Sequence, residues 1–168
     1  MNQGLAILGA LTVAVAGVVL AVTLYDLKVP HYLSRKVGHL GGGAAYLILV
    51  LWVDRWPAIG LAGVAAVVML IVRFYRPGWL RGVGGTGRPH AFAEQTYALA
   101  GAASFAIGWG LFNDRWLALV PVLFMAWGDS CTGFIRMLVY HREFKGWWGS
   151  VGMVAVCLLV ALLYQPYW

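Results

Sequence analysis

The sequence predicts an all-α, polytopic membrane protein with about six transmembrane helices, and two features indicate this: few charges and long apolar runs. Hydrophobic residues make up 62% of the 168 residues and charged residues only 11%, whereas a soluble domain averages about a quarter charged residues. So small a charged fraction leaves too little polar surface to cover a water-facing globule. The length suits one domain, so we expect residues 1–168 to form a single transmembrane helical domain.

Six stretches are apolar enough to cross a bilayer, some only if their ends tilt or snorkel. A helix needs about 20 residues to span the hydrocarbon core. The predicted spans are residues 5–25, 38–53, 57–75, 94–112, 116–138 and 148–164. These runs are continuously apolar rather than alternating, which disfavours a transmembrane β-barrel. The first run lacks a preceding basic segment and an A-x-A cleavage site, so we interpret it as a retained helix.

The basic residues predict the orientation of the spans. Of the twelve lysines and arginines, ten lie in the first, third and fifth connections. These ten are Lys28, Arg35, Lys36, Arg73, Arg76, Arg81, Arg88, Arg136, Arg142 and Lys145. Because basic loops stay on the cytoplasmic side, we expect these connections to be cytoplasmic and both termini to be outside. The net charge of +6 then anchors the chain at anionic headgroups, and no soluble face remains for a nucleic acid.

The two outer connections resemble each other, since they read Asp54-Arg55-Trp56 and Asp114-Arg115-Trp116, sixty residues apart. Two helical hairpins of common origin would explain the similarity. The same residue types also suit any short interfacial turn, so both interpretations stay open. Small-residue strings at 41–45 and 101–104 allow close helix contacts within or between chains, which would suit a homo-oligomer.

Four groups of polar residues remain, all on the predicted cytoplasmic side. The first is Arg35, Lys36 and His39, which share one helix face. Two cations and an imidazole suit a polyphosphate, although a basic anchor beside a buried histidine is a more common arrangement. The second is Glu94, because a carboxylate inside a span is energetically unfavourable and marks a candidate functional site. An ion pair with a nearby arginine is the alternative.

The third group surrounds Gly128-Asp129 in the fifth span. Asp129 lies about 20 Å along the helix from Trp116, and an unpaired carboxylate at that depth needs a cation. Magnesium suits the position, because it commonly binds one or two carboxylates together with phosphate oxygens. Thr132 and Arg136 follow on the same face. A structural salt bridge to an arginine is the alternative.

The fourth group, Lys145, Gly149 and Ser150, precedes or begins the last span. Lys145 can bind phosphate, and Ser150 can cap a helix whose N-terminus attracts anions. An interfacial lysine–tryptophan anchor is the alternative. The four histidines lack metal-ligand spacing, so zinc is not expected, and the G-x-G-x-x-G pattern at 82–87 has no βαβ context.

Taken in order, these groups resemble the membrane-embedded polyprenol kinase family, which includes dolichol kinase and phytol kinase and is distantly similar to the CDP-lipid cytidylyltransferases. The matching motifs are R-K-x-x-H at 35–39, an acid after the middle basic loop at Glu94, G-D at 128–129 and K-x-W-x-G-S at 145–150. The resemblance covers roughly residues 35–155, and the phytol kinase branch is most similar over the last motif.

The resemblance implies a CTP-dependent, magnesium-dependent kinase that phosphorylates the terminal hydroxyl of a long-chain isoprenoid alcohol at the cytoplasmic face. It implies that Asp129, Glu94 and His39 are catalytic, with Asp129 and Glu94 as metal ligands. Glu94 would hold a second metal or accept the alcohol proton, and His39 would orient phosphate or alcohol. The implied nucleotide- and phosphate-binding residues are Arg35, Lys36, Gly128, Thr132, Arg136, Lys145, Gly149 and Ser150.

The sequence departs from that family in two places. Thr132, Gly133 and Arg136 stand where relatives carry a glycine-rich turn, and the stretch from there to Lys145 is shorter. Trp148 stands where the dolichol kinase and cytidylyltransferase branches carry a glutamate, which leaves the choice of nucleotide open. The alternative functions are a cytidylyltransferase that forms a CDP-activated lipid and, outside enzymes, a small membrane transporter or scaffold.

Overall fold

The computed structural model describes residues 2–84, 93–140 and 146–164, and these ranges are helical without any strand. Their α-helices are α1 (Gln3–Asp26), α2 (His31–Trp52), α3 (Arg55–Tyr75), α4 (Ala93–Ser104), α5 (Arg115–Leu123), α6 (Asp129–Tyr140) and α7 (Trp147–Tyr164). A short 3-10 helix, Pro77–Leu80, follows α3. The prediction of an all-helical chain is confirmed for the described ranges.

Four helices are long and apolar enough to cross a membrane: α1, α3, the continuous α5–α6 unit Arg115–Tyr140, and α7. Large apolar side chains are exposed on them, among them Leu8, Val15, Phe74 and Leu158. A water-facing helix would present polar side chains there, so these faces suit lipid. Helix α2 falls short of this apolarity because its first turns contain charged residues, and α4 is only 12 residues long.

Three of the predicted spans differ from the helices in the structure in a way that affects the site. The second helix begins at His31 rather than near residue 38, so Arg35 and Lys36 lie inside α2 and not before it. The fourth and fifth spans are not regular helices. Helix α4 continues as a π-helix over Phe105–Leu111, and a second π-helix, Phe124–Gly128, joins α5 to α6.

The second π-helix lies just after Pro121, the proline inside α5. Proline has no N–H to donate to the carbonyl four residues before it and crowds that carbonyl, so the regular hydrogen-bond ladder is interrupted there. Short π-helical turns of this kind often occur at functional sites. Here the irregular turn ends at Gly128, and Asp129 is therefore the first residue of α6.

Helices α1 and α2 pack closely through glycines. A Cβ on Gly17 would lie 2.9 Å from the Cα of Gly41, so only glycine lets the two backbones approach this far. The small-residue string at 41–45 thus makes contacts within the chain. A buried apolar core that includes Leu49, Phe105 and Leu119 fills the space between α2, α5 and the first π-helix.

The connections that follow α1 and α3 and the end of α6 lie together at one end of the bundle. Arg81 donates two hydrogen bonds to the carboxylate of Asp26, at 2.8 and 2.5 Å. Ser34 Oγ donates to the carbonyl of Gly82 at 2.8 Å, and Tyr32 donates to Met137 Sδ at 3.3 Å. The glycine-rich segment after α3 is therefore attached to α1 and α2 up to Gly84, while residues 85–87 lie outside the described ranges.

The opposite end holds the two similar outer turns. Arg55 Nη1 donates to Asn113 Oδ1 at 2.6 Å, which joins one turn to the other. Each turn also places its arginine over the neighbouring tryptophan ring, 4.7 Å from the centroid of Trp56 and 4.9 Å from that of Trp116. The turns differ in their caps, because Asp114 accepts hydrogen bonds from two amides of α5 whereas the side chain of Asp54 makes no cap to α3.

Candidate functional site

Three of the predicted site residues, Lys36, His39 and Asp129, meet between α2 and α6. Lys36 Nζ donates to Asp129 Oδ2, and His39 Nδ1 lies 3.5 Å from the same oxygen. The lysine and histidine side chains are 13% and 11% exposed, whereas that of Asp129 is 41% exposed. Asp129 Oδ1 has no protein partner within the described ranges. The carboxylate of Asp129 is thus paired with a lysine. The salt bridge that the sequence offered as an alternative was with an arginine.

The local sequence explains why these side chains reach one another. Lys36 and His39 are three residues apart on α2 and so share a face. Ser130, next to Asp129, has its hydroxyl 3.0 Å from the carbonyl oxygen of Lys36 and 2.5 Å from that of Ala126, and it donates to both. The start of α6 is thus in contact with α2. A Cβ on Gly133 would lie 2.8 Å from Lys36 Cγ, so this glycine leaves room for the lysine stem. Ser130 was missed from sequence, and Gly133 was noted only as a departure from the family.

A second set of predicted residues, Thr132, Arg136 and Gly149, meets where α6 contacts α7. Thr132 Oγ1 donates to the carbonyl oxygens of Gly128 and Gly149 at 3.1 and 3.2 Å. A Cβ on Gly149 would lie 2.9 Å from Thr132 Cγ2 and 3.1 Å from Arg136 Nε. Gly149 is therefore a packing residue that lets α7 lie against Thr132 and Arg136.

Arg136 and Arg35 add positive charge beside Lys36. The Nε atom of each arginine is buried, and neither Nε has a hydrogen-bond partner in the described part of the chain. Both guanidinium groups repel the Lys36 ammonium group. Lys36 thus has two cationic neighbours and one carboxylate partner, which leaves an excess of positive charge that an anionic ligand would stabilise.

Of the remaining predicted phosphate-binding residues, one packs against α7, one is exposed on α7 and one lies outside the described residues. Gly128 faces α7, since a Cβ there would lie 3.0 Å from Cys157 Sγ and 3.4 Å from Met153 Cγ. Ser150 is exposed and lies inside α7, which begins at Trp147, so the expectation that it caps the helix is wrong. Lys145 lies outside the described residues.

Glu94 is almost completely buried, with 2% of the residue exposed. Its Oε1 lies 3.4 Å from Arg73 Nη1 and accepts a hydrogen bond from Gln95 Nε2 at 2.9 Å. Its Oε2 has no partner within the described ranges. The sequence left open whether Glu94 serves in a site or forms an ion pair with an arginine. That ion pair is present, and Oε2 remains without a hydrogen-bond partner within the described ranges.

The described residues include no group of three or more His, Cys, Asp and Glu side chains that could hold a metal ion. Asp129 and Glu94, which were predicted as ligands of a first and a second metal, have different partners in the structure. Asp129 by itself fits a magnesium ion, because its exposed Oδ1 is an oxygen ligand and phosphate and water supply the others. Glu94 has no such exposed oxygen.

A cavity of about 660 Å³ lies between α1, α2, α3 and the start of α4. Its wall is mostly apolar, and His39, Glu94 and Tyr97 are among its few polar side chains. The rings of His39 and Tyr97 stack with centroids 4.7 Å apart and planes 9° apart. Sequence reasoning missed Tyr97, although its position three residues after Glu94 places both on one helix face. His39 therefore contacts both Asp129 and this cavity.

The fold and the site define a class: a helical protein with apolar helices of membrane-spanning length and a cluster of charged side chains between them. The chain matches no protein family model, no curated protein and no solved structure. The resemblance to the polyprenol kinases consequently stays a prediction from four short motifs.

Proposed function

We propose that the chain is a membrane-embedded kinase that transfers the γ-phosphoryl group of CTP to the terminal hydroxyl of a long-chain isoprenoid alcohol. One observation supports this most: His39 contacts both the charged cluster around Asp129 and the large apolar cavity. A lipid kinase needs such a junction, because the phosphates require cations while the alcohol tail requires an apolar surface.

The proposed topology has six spans, with both termini outside and the site facing the cytoplasm. The clustering of Asp26, Ser34, Arg81 and Met137 at one end of the bundle agrees with connections that alternate between two sides. In this topology α2 and α4 also cross the bilayer, and their polar first turns lie at the cytoplasmic interface. CTP would reach the site from that side, while the alcohol would arrive within the lipid.

In the proposed reaction the alcohol oxygen attacks the γ-phosphorus of CTP. A new bond forms between that oxygen and the phosphorus, the bond from the γ-phosphorus to the β–γ bridging oxygen breaks, and CDP leaves. The hydroxyl proton passes to Glu94, whose Oε2 has no hydrogen-bond partner within the described ranges. Catalysis of this kind depends mainly on positioning and charge neutralisation, which Arg35, Lys36 and Arg136 provide.

Asp129 would hold the magnesium ion that the family resemblance implies. A magnesium ion bound there with the phosphates supplies further neutralisation of charge on the transferred group. The protein side of the site keeps Asp129 oriented through Lys36, and Ser130 fixes the distance between α6 and α2. Lys145, which precedes α7 in the sequence, remains a candidate for phosphate contact.

Label transfer tests the proposal against both alternatives. The protein in nanodiscs is incubated with magnesium, a panel of isoprenoid alcohols and phosphatidic acid, and CTP labelled at either the γ- or the α-phosphorus. We expect the γ-label to enter an alcohol and the α-label to remain in the nucleotide. Transfer of the α-label would instead identify a cytidylyltransferase. If neither label enters any lipid, the enzymatic proposal fails and a transporter or scaffold is favoured.

A further inference from the structure

We infer that the apolar cavity is the binding site of the acceptor lipid, whose tail enters between α1 and α3 and whose hydroxyl binds at Glu94 and His39. This inference rests on the proposed function, because it assigns a place to the acceptor of that reaction. It adds a binding surface that includes Tyr97 and residues of α1 and α3, none of which the family motifs contain.

The position of the cavity favours a ligand that comes from the bilayer. Side chains of α1 and α3 that line it are also widely accessible, for example Val15 at 61%, Val19 at 57% and Val68 at 47%. The cavity therefore opens sideways between two apolar helix faces. A water-soluble ligand gains little from such a route, whereas a chain dissolved in lipid can enter without crossing a polar surface. The volume of about 660 Å³ is in the usual range for ligand sites.

The polar end of the cavity requires a hydrogen-bonding headgroup. Glu94 is 2% exposed and its Oε2 has no partner, and His39 is 8% exposed with no hydrogen-bond partner at Nε2, within the described ranges. Buried polar atoms are nearly always hydrogen-bonded in proteins. A hydroxyl group satisfies both positions, since it donates to the carboxylate oxygen and accepts from the imidazole.

The charge at this end favours a neutral alcohol over a charged lipid. Glu94 already has Arg73 as its cation, so a lipid ammonium group is not needed for neutralisation. A phosphate headgroup would bring a second anion next to the unpartnered Oε2 of Glu94. In this proposal the cavity therefore suits the neutral substrate of a kinase better than the phosphorylated substrate of a cytidylyltransferase.

His39 would then lie between the two substrates. Its ring stacks on Tyr97 on the cavity side, and its Nδ1 faces Asp129 on the cluster side. Gly42, one turn further along α2, is close to the same tyrosine, since a Cβ there would lie 3.0 Å from Tyr97 Cε1. A hydroxyl held at Glu94 and His39 is thus directed toward phosphates bound on the Asp129 side.

Photocrosslinking tests this placement independently of turnover. The probe is a long-chain isoprenoid alcohol with a diazirine on its tail, added to the wild-type protein in nanodiscs without nucleotide. We expect the label on cavity-lining residues of α1 and α3, such as Val15 and Val68. An excess of the unlabelled alcohol should compete, and the corresponding isoprenoid monophosphate should compete at least tenfold more weakly. Label confined to other outward faces, or equal competition by the monophosphate, would overturn the inference.

A matched pair of tryptophan substitutions then tests the cavity itself. Ala65 lines the cavity and is exposed, so Ala65→Trp fills the opening from the lipid side. Val67 is also exposed on α3 but does not line the cavity, so Val67→Trp is the control. We expect Ala65→Trp to lower specific crosslinking at least tenfold and Val67→Trp to leave it unchanged. Equal crosslinking in both variants would contradict the inference, and wild-type mapping decides the matter if Ala65→Trp does not fold.

The outcomes separate this inference from the proposed function. Specific crosslinking in the cavity without any transfer of label from CTP would leave a lipid-alcohol site in a protein that is not a kinase. Transfer of the γ-label with crosslinking elsewhere would leave the kinase and overturn the cavity as its acceptor site. Asp129→Asn should retain crosslinking while it loses transfer, because Asp129 does not line the cavity.

Discussion

Asp129 and Glu94, the two carboxylates that lie among the helices near the site, are held in different environments. The side chain of Asp129 is 41% exposed and shares one oxygen between Lys36 and His39, whereas that of Glu94 is 1% exposed and is paired with Arg73. Both satisfy the rule that an acid in a membrane needs a cation. Only Asp129 keeps an oxygen open to solvent, and only Glu94 lines the apolar cavity.

The comparison suggests that the two acids suit different kinds of ligand. A solvent-accessible carboxylate beside Lys36 and His39 suits ions and phosphates that arrive from water. A buried carboxylate beside an apolar cavity suits a neutral hydroxyl that arrives from lipid. The residue between the two regions is His39, so changes on either side should affect different measurements.

The largest expected effect is that of Asp129→Asn on turnover. The substitution keeps the shape of the side chain but removes the charge that pairs with Lys36 and that would bind magnesium in the proposed site. We expect transfer of the γ-label to fall by at least about 100-fold, as when one electrostatic contact to a transition state is lost. Asp54→Asn is the matched control, because Asp54 lies in an outer turn and its side chain makes no cap to α3. Full activity of Asp129→Asn would refute its assignment as the metal ligand.

The next effect is on the free energy of unfolding, and it compares the basic residues that pair with the two acids. Arg73→Leu leaves Glu94 buried without its ion-pair partner, which should cost about 3–5 kcal/mol of unfolding free energy. Lys36→Met leaves Asp129 with an oxygen in contact with solvent, so we expect a loss of about 1 kcal/mol or less. Thermal or denaturant unfolding in detergent measures both. Equal losses of unfolding free energy would contradict the expected effect of burial on the two ion pairs, and the comparison depends on that effect.

A smaller effect is expected from Gly133→Ala, which acts on the Asp129 side alone. The added Cβ would lie 2.8 Å from Lys36 Cγ, so the lysine stem has to move away from α6. Displacement of a positioning group by a fraction of an ångström should reduce turnover about tenfold. Gly63→Ala on α3 is the control, because a Cβ there meets nothing within 4 Å. Cavity crosslinking should be unchanged in both variants, and a loss in Gly133→Ala would connect the two regions more tightly than proposed.

The sequence predicted most of the helices. Of the two acids compared here, it predicted more about the surroundings of Asp129 than about those of Glu94. The apolar runs located the helices, and helix periodicity placed Lys36 with His39 on one face. The need of an acid in a span for a cation predicted a partner for Asp129, but magnesium or an arginine was expected there and not Lys36. Local patterns do not determine which faces meet across helices, and for that reason the cavity, Tyr97 and the role of Gly133 were missed. The second π-helix was missed because Pro121 and Gly128 indicate an irregularity without specifying its form.

The smallest effect should come from Ser130→Ala, which tests how firmly Asp129 is attached to α2. Ser130 Oγ donates to the carbonyl of Lys36 at 3.0 Å, and losing one such bond costs about 1 kcal/mol. Thr12→Ala is the control, because its hydroxyl bonds only within α1, to the carbonyl of Leu8, and should change stability by less than about 0.5 kcal/mol. If Ser130 positions Asp129, turnover should fall a few-fold while alcohol crosslinking stays constant. A loss of stability without any change in turnover would make the contact purely structural, and the orientation of Asp129 would then depend on Lys36 and His39 alone.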